Sequence, residues 1–177
     1  MAAPIYTQAQ VAAMIATPKY VPHDAWNGRS EGREGTDEVR NRIEAHPIDE
    51  NDPTQFLIER CRCAARGEAS FTLFGRLAEY VQQPLCRYEI QICRHSNPKW
   101  FSGPSYISAR VPHKHVYNER AILEGWTWDK CAEPLKLNSQ PKKKLSVEQC
   151  INWIAPIFLK EIHLEIHDPE SNGLFGR

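Results

Sequence analysis

The stretch Cys86-Arg87-Tyr88-Glu89-Ile90-Gln91-Ile92-Cys93 decides the fold. Cys86, Tyr88, Ile90 and Ile92 alternate with Arg87, Glu89 and Gln91, so a strand here turns one apolar and one polar face outward. Two further runs precede it, residues 54–64 (TQFLIERCRCA) and Phe71–Tyr80 (FTLFGRLAEY), both rich in β-branched and aromatic residues. A fainter strand spans 39–45. The breaks at Arg66-Gly67-Glu68 and Gln83-Pro84 are too short to hold crossover helices, which excludes a parallel arrangement of these strands. Consecutive hairpins, and so an antiparallel meander, follow.

Helices flank the meander. Thr7 and Gln10 have capping-box spacing ahead of the alanine-rich Gln8–Ala16, and Pro18 stops that helix. Ser146 and Gln149 repeat the spacing before Val147, Cys150, Ile151 and Ile154, an apolar stripe that Pro156 ends or kinks. Alternation at Ile162, Leu164 and Ile166 suggests a last strand, in which His163 and His167 are given no role. The expected architecture is α+β, an antiparallel sheet of four to six strands packed against the N- and C-terminal helices. All of it falls in a single domain over 1–177, with a polar loop at 22–38 and a long excursion at 94–112.

Composition narrows the function classes. The chain has 177 residues, 41% hydrophobic and 25% charged, which is globular in character. Twenty-two basic and twenty-two acidic residues cancel, so the protein is not built chiefly to coat nucleic acid, although a local basic patch such as Lys142–Lys144 is compatible with that balance. The first residues lack the pattern of a signal peptide, and no apolar run is long enough to span a membrane. A cytoplasmic location without a membrane partner is therefore expected. The six cysteines are read as reduced and structural, with Cys61 and Cys63 on one face of a strand. Trp126, Trp128 and Trp153 are read as packing, and Trp100, Phe101 and Tyr106 as a lid or a base-stacking surface.

Chemistry concentrates in and after the excursion. His95-x-Asn97-Pro98 is followed by Pro112-His113-x-His115-x-x-x-Glu119. His113 and His115 are two apart and share a strand face, and pairing of the flanking strands brings His95 toward them. Their ring nitrogens are expected within roughly 4–7 Å. Two chemistries suit this set. In metal-free phosphodiester cleavage, His95, His113, His115 and Glu119 supply acid and base groups. Arg110 then stabilises developing charge, while Asn97, Arg87, Arg94 and Tyr117 hold the substrate. In the alternative, His95, His113, His115 and Glu119 ligate zinc, iron or nickel. The H-x-H-x-x-x-E spacing is similar to the first half of the cupin metal motif, but a glycine-flanked histidine for the second half is missing. Arg87, Arg94 and Arg110 weigh against a divalent ion and toward phosphate or carboxylate, so no cofactor is expected.

The order R-Y-E-I-Q-I, H-S-N-P, P-H-K-H-V-Y-N-E and A-E-P-L resembles a family of small bacterial and phage proteins known only as a domain of unknown function. Its members carry H-T-N-P-D-G and then P-H-L-H-I-Y-R-E, which His95, Asn97, Pro98, His113, His115, Tyr117 and Glu119 match. Lys99 and Trp100 replace the Asp-Gly, and the connection is longer here. The resemblance implies a site at these residues and a mobile-element setting, but no reaction. A ribonuclease-like toxin acting on RNA, a defence or anti-defence protein that binds another protein, and a cupin-like metal enzyme all stay open.

Overall fold

The computed structural model describes residues 5–27, 31–32, 37–77, 80, 82–90, 94–135 and 146–167. Lys142–Lys144, residues 28–30 and 33–36 of the expected 22–38 loop, and residues 91–93 of the expected 86–93 strand lie outside them.

Both capping boxes form. Thr7 caps α1 (Gln8–Ala16) and Ser146 caps α4 (Val147–Glu161), each with the reciprocal glutamine bond. Helix α4 runs on through Pro156 rather than ending there. Proline removes the bond to the carbonyl four residues back, at Asn152, and both residues are exposed, so water can take its place. Cys150, Ile154, Phe158 and Ile162 recur every fourth residue and are fully buried.

The strands are β1 (Lys19–Pro22), β2 (Glu31–Gly32), β3 (Glu38–Pro47), β4 (Gln55–Cys63), β5 (Glu68–Arg76) and β6 (Gln83–Ile90). There follow β7 (His95–Ser96), β8 (Tyr106–Ile107), β9 (His113–Val116), β10 (Ala132–Pro134) and β11 (Leu164–His167). Short helices α2 (His23–Asn27) and α3 (Glu119–Leu123) and a 3₁₀ turn at Trp128–Lys130 complete the elements. The described part of the 22–38 segment thus contains α2 and β2.

The fold is α+β, with β3 to β6 as the expected antiparallel meander. Among the described residues the main sheet has nine strands rather than four to six, in the order β10-β9-β6-β5-β4-β3-β1-β11 with β2 beside β3. The additions are mostly strands of two to four residues, too short to leave a periodic signal. One pair, β1 with β11, is parallel. Residues 23–163 lie between these two strands, so the connection-length argument for the meander does not reach them.

The two faces of the sheet differ. One face carries Phe71, Leu73, Cys86 and Tyr88 against Phe158 of α4, in a core that also includes Tyr6, Val11 and Met14 from the α1 region. The other face bears two polar rows that cross the strands in register. Arg40, Cys61, Ser70, Glu89 and His113 make one row; Arg42, Glu59, Thr72, Arg87 and His115 make the next. Both rows end in the histidines of β9.

Candidate functional site

The antiparallel register of β6 and β9 sets Glu89 opposite His113 and Arg87 opposite His115. Alternation places all four side chains on the polar face. Glu89, His113 and His115 are only 2–3% exposed. Their ligand atoms all lie within 4.8 Å of one another. His95, from the separate β7–β8 hairpin, closes over them, with its ring centroid 4.8 Å from that of His115 and 5.9 Å from that of His113. Trp128 approaches His115 edge-on from the 3₁₀ turn.

Main-chain carbonyls orient each imidazole. The Nδ1 of His113 faces the Val111 oxygen at 2.7 Å, and the Nδ1 of His115 faces the Asp129 oxygen at 2.6 Å. A carbonyl only accepts, which assigns a proton to both Nδ1 atoms. The Nε2 atoms then face the same Glu89 oxygen, Oε1, at 3.3 Å from His113 and 2.6 Å from His115. The His113 approach falls outside hydrogen-bond geometry, and its buried Nε2 has no partner. His95 donates Nε2–H to the Lys130 oxygen at 3.0 Å.

Electrostatics follow from this packing. Burial pushes the Glu89 carboxyl up, but the two imidazoles outweigh it and hold the group well below the usual carboxylate range. Burial pushes the His95 imidazole down, against the raising effect of its bond to the Lys130 carbonyl, and the neighbouring histidines lower it further. Arg87 is anchored by Thr72 at 3.2 Å and Asp129 at 3.4 Å and lies over the Trp128 ring. Its Nη1 sits 4.0 Å from the second Glu89 oxygen, Oε2.

No protein-family model, curated protein or solved structure matches the chain. Its site is therefore read from its own geometry.

The remaining residues singled out in the sequence have other placements. Glu119 is not with the histidines: it opens α3 and accepts from the main-chain N–H of Gln8 at 3.0 Å. Tyr117 is buried and donates to the Tyr6 carbonyl at 2.7 Å. The second half of the P-H-x-H-x-Y-x-E pattern thus docks the start of α1, while the first half builds the site. Asn97 is a clasp: its side chain accepts from Ala132 N–H and donates to the Ala132 and Pro104 carbonyls, fixing β10 against the excursion. Arg94 stacks on Tyr106, 3.7 Å from the ring centroid. Arg110 occupies a left-handed turn with φ of 64°. Trp126 is 48% exposed and is not core packing.

The carboxylate that joins the histidines is Glu89, which the sequence reading left on the polar face of its strand. The signal was the alternation itself: once β6 and β9 pair, a polar-face residue of β6 must lie against His113. The pocket beside Glu89 has a volume of about 180 Å³ and is lined by Arg40, Glu59, Cys61, Arg66, Ser70 and Arg87 among others. Among the described residues the five cysteines are free thiols, and burial pushes Cys61 up to about 11 and Cys86 up to about 12, well above the thiolate range.

Proposed function

We propose that the chain is an enzyme whose active centre is Glu89, His113 and His115, with His95 on its outer side, acting on a small polar substrate in the adjoining pocket. One observation carries this reading: three ionisable side chains, nearly devoid of solvent contact, border a polar pocket of about 180 Å³ through Glu89. Burying such groups is costly, and a strand seam of this kind packs well with apolar residues. A costly cluster at the wall of a pocket is the arrangement that catalysis uses. The Glu89–His115 contact at 2.6 Å couples a carboxylate to an imidazole in the manner of an acid–base pair, and Arg87 stands by to stabilise anionic charge. Arg40, Arg66 and Arg87 alternate with Glu38, Glu59 and Glu68 around the pocket, a mixed lining that suits a compact substrate with donors and acceptors better than a polyanion.

A second reading keeps RNA as the substrate, in a toxin-like role. Its specific observation is a set of cations stacked on rings in and after the excursion: Arg94 on Tyr106, Arg120 on Trp100 and Lys130 on Trp126. Such pairs form surfaces on which unpaired bases stack. The burial of His113 and His115 makes direct attack on a polymer the weaker of the two readings.

Thermal-shift screening of wild type and Glu89→Gln against small phosphates, carboxylates, amino acids and a short oligoribonucleotide separates the readings. Stabilisation by a small compound, lost in Glu89→Gln, supports the first. Stabilisation by the oligoribonucleotide alone, with cleavage lost in His95→Ala, favours the second. Binding of a protein partner that Glu89→Gln and His95→Ala leave intact, and that Leu123→Asp at an exposed apolar side chain abolishes, replaces both with a non-enzymatic role.

A further inference from the structure

We propose that Glu89, His113 and His115 form a divalent transition-metal site, with the Glu89 carboxylate and the Nε2 atoms of both histidines as ligands. The inference deepens the catalytic reading above and rests on the same centre.

The unpartnered His113 Nε2 is the starting point. It is buried, it carries the lone pair of its ring because the Val111 carbonyl holds the proton on Nδ1, and it faces a carboxylate oxygen 3.3 Å away. His115 repeats the Nδ1 contact through the Asp129 carbonyl, while its Nε2 lies at hydrogen-bond distance, 2.6 Å, from the same oxygen. Two lone pairs and an anionic oxygen converging in a buried space repel one another unless a positive charge lies between them. Two added protons could supply it, but the His113 approach lacks hydrogen-bond geometry, so a proton there stays unshared. A metal ion satisfies all three atoms at once.

The dimensions agree. Zinc at roughly 2.0–2.1 Å from each ligand in a tetrahedral set spaces its ligand atoms about 3.3 Å apart. The His113–Glu89 spacing has that value, His115 needs to open by less than about 1 Å to match it, and the three ligand atoms together lie within 4.8 Å, so the two imidazoles close on the ion by at most about 1.5 Å. Carbonyl acceptors at both Nδ1 atoms are the outer contacts that hold metal-binding histidines in the correct tautomer. Two neutral imidazoles and one carboxylate select zinc, iron(II), nickel or cobalt over magnesium and calcium, and leave coordination positions open. The arginines that argued against an ion in the sequence are disposed otherwise. Of these, Arg94 stacks on Tyr106, and Arg87 is matched by Asp129 and contacts only the far oxygen of Glu89.

The test uses the full chain purified without a histidine tag and stripped with a chelator. Cobalt(II) is titrated while its visible ligand-field bands are followed, zinc is titrated in competition, and ¹⁵N spectra report on the histidine rings. The expected result is about one ion per chain, with the Nε2 signals of His113 and His115 shifted and their Nδ1 atoms still protonated. Glu89→Gln and His113→Gln weaken binding by more than the roughly 10–100-fold typical of residues that only orient a ligand, while Glu119→Ala does not weaken it. Because the ring spectra are read on the wild type, misfolding of a variant does not blunt the test. Wild type that takes up none of these ions stoichiometrically, or uptake undiminished in folded Glu89→Gln, overturns the metal site. The substrate screen is scored on the stripped protein as well, so a metal-free chain that still binds its small ligand through Glu89 defeats this inference and spares the catalytic reading.

Discussion

Glu119 and Gln8 exchange hydrogen bonds across the molecule, the carboxylate accepting from the Gln8 N–H at 3.0 Å and the Glu119 N–H donating to the Gln8 side-chain oxygen at 3.5 Å. Gln8 opens α1, where main-chain N–H groups lack helical partners and the helix dipole favours a negative charge. Glu119→Ala is therefore expected to lower stability by about 1 kcal/mol. Urea denaturation measures this, and the ligand response of the Glu89 centre should be unchanged. A variant of native stability with an impaired centre would show that Glu119 belongs to the site after all.

Arg110 has a left-handed backbone just ahead of Val111, whose carbonyl orients His113. A side chain in that conformation costs about 1–2 kcal/mol, which glycine avoids. Arg110→Gly should be more stable than Arg110→Ala by about 1 kcal/mol, measured as the difference in urea unfolding free energy. Equal stabilities would mean that the turn relaxes without strain.

Asn97 offers a sharper comparison. Its amide donates to two carbonyls and accepts one N–H, so Asn97→Ala loses three hydrogen bonds and Asn97→Asp turns a carboxylate oxygen toward two carbonyl oxygens. Each lost bond costs about 1 kcal/mol, and the aspartate adds repulsion. Thermal unfolding should rank wild type above Asn97→Ala above Asn97→Asp. An aspartate variant at least as stable as alanine would contradict the clasp.

Lys19 is fully buried, donating to the Ile15 carbonyl at 3.0 Å and the Ile162 carbonyl at 2.5 Å. Burial pushes its ammonium down to about 8, with smaller opposing effects from Cys86 and Asp52. The unfolded chain keeps its proton to about pH 10.4, so between these values it binds more protons than the fold. Below pH 8 both states are charged and the burial cost is constant; across pH 8 to 10 the contribution of Lys19 to stability rises, by at most about 3 kcal/mol. The difference in urea midpoint between wild type and Lys19→Met should move in favour of wild type over that window, which cancels the titration of other groups. A difference independent of pH would refute the shift.

The meander was legible because its alternation is written in consecutive residues: Cys86, Tyr88 and Ile90 point to the core as their spacing required. The caps were legible for the same reason, since Thr7 with Gln10 and Ser146 with Gln149 act over one helical turn. The His113–His115 pairing on one face likewise needed only strand geometry. Glu89 was hidden by distance. Its partnership with His113 depends on the register across an excursion containing the β7–β8 hairpin, and no local pattern encodes that register. Glu119 misled for the converse reason, because a carboxylate near in sequence to two histidines left the strand at Tyr117 and followed a helix away.

The pairing of Lys19 with Leu164 in β1 and β11 also has a kinetic side. Synthesis delivers β1 early and its parallel neighbour only after α4 has been made. Until then the outer edge of β1 has no strand to bond, and the Ile162 carbonyl that receives the buried ammonium is absent. Closing so long a loop carries a high entropic cost, which makes this seam a late step in assembly. A ribosome-stalled chain ending before residue 160 should accordingly leave Lys19 open to amine-reactive reagents that the finished fold excludes.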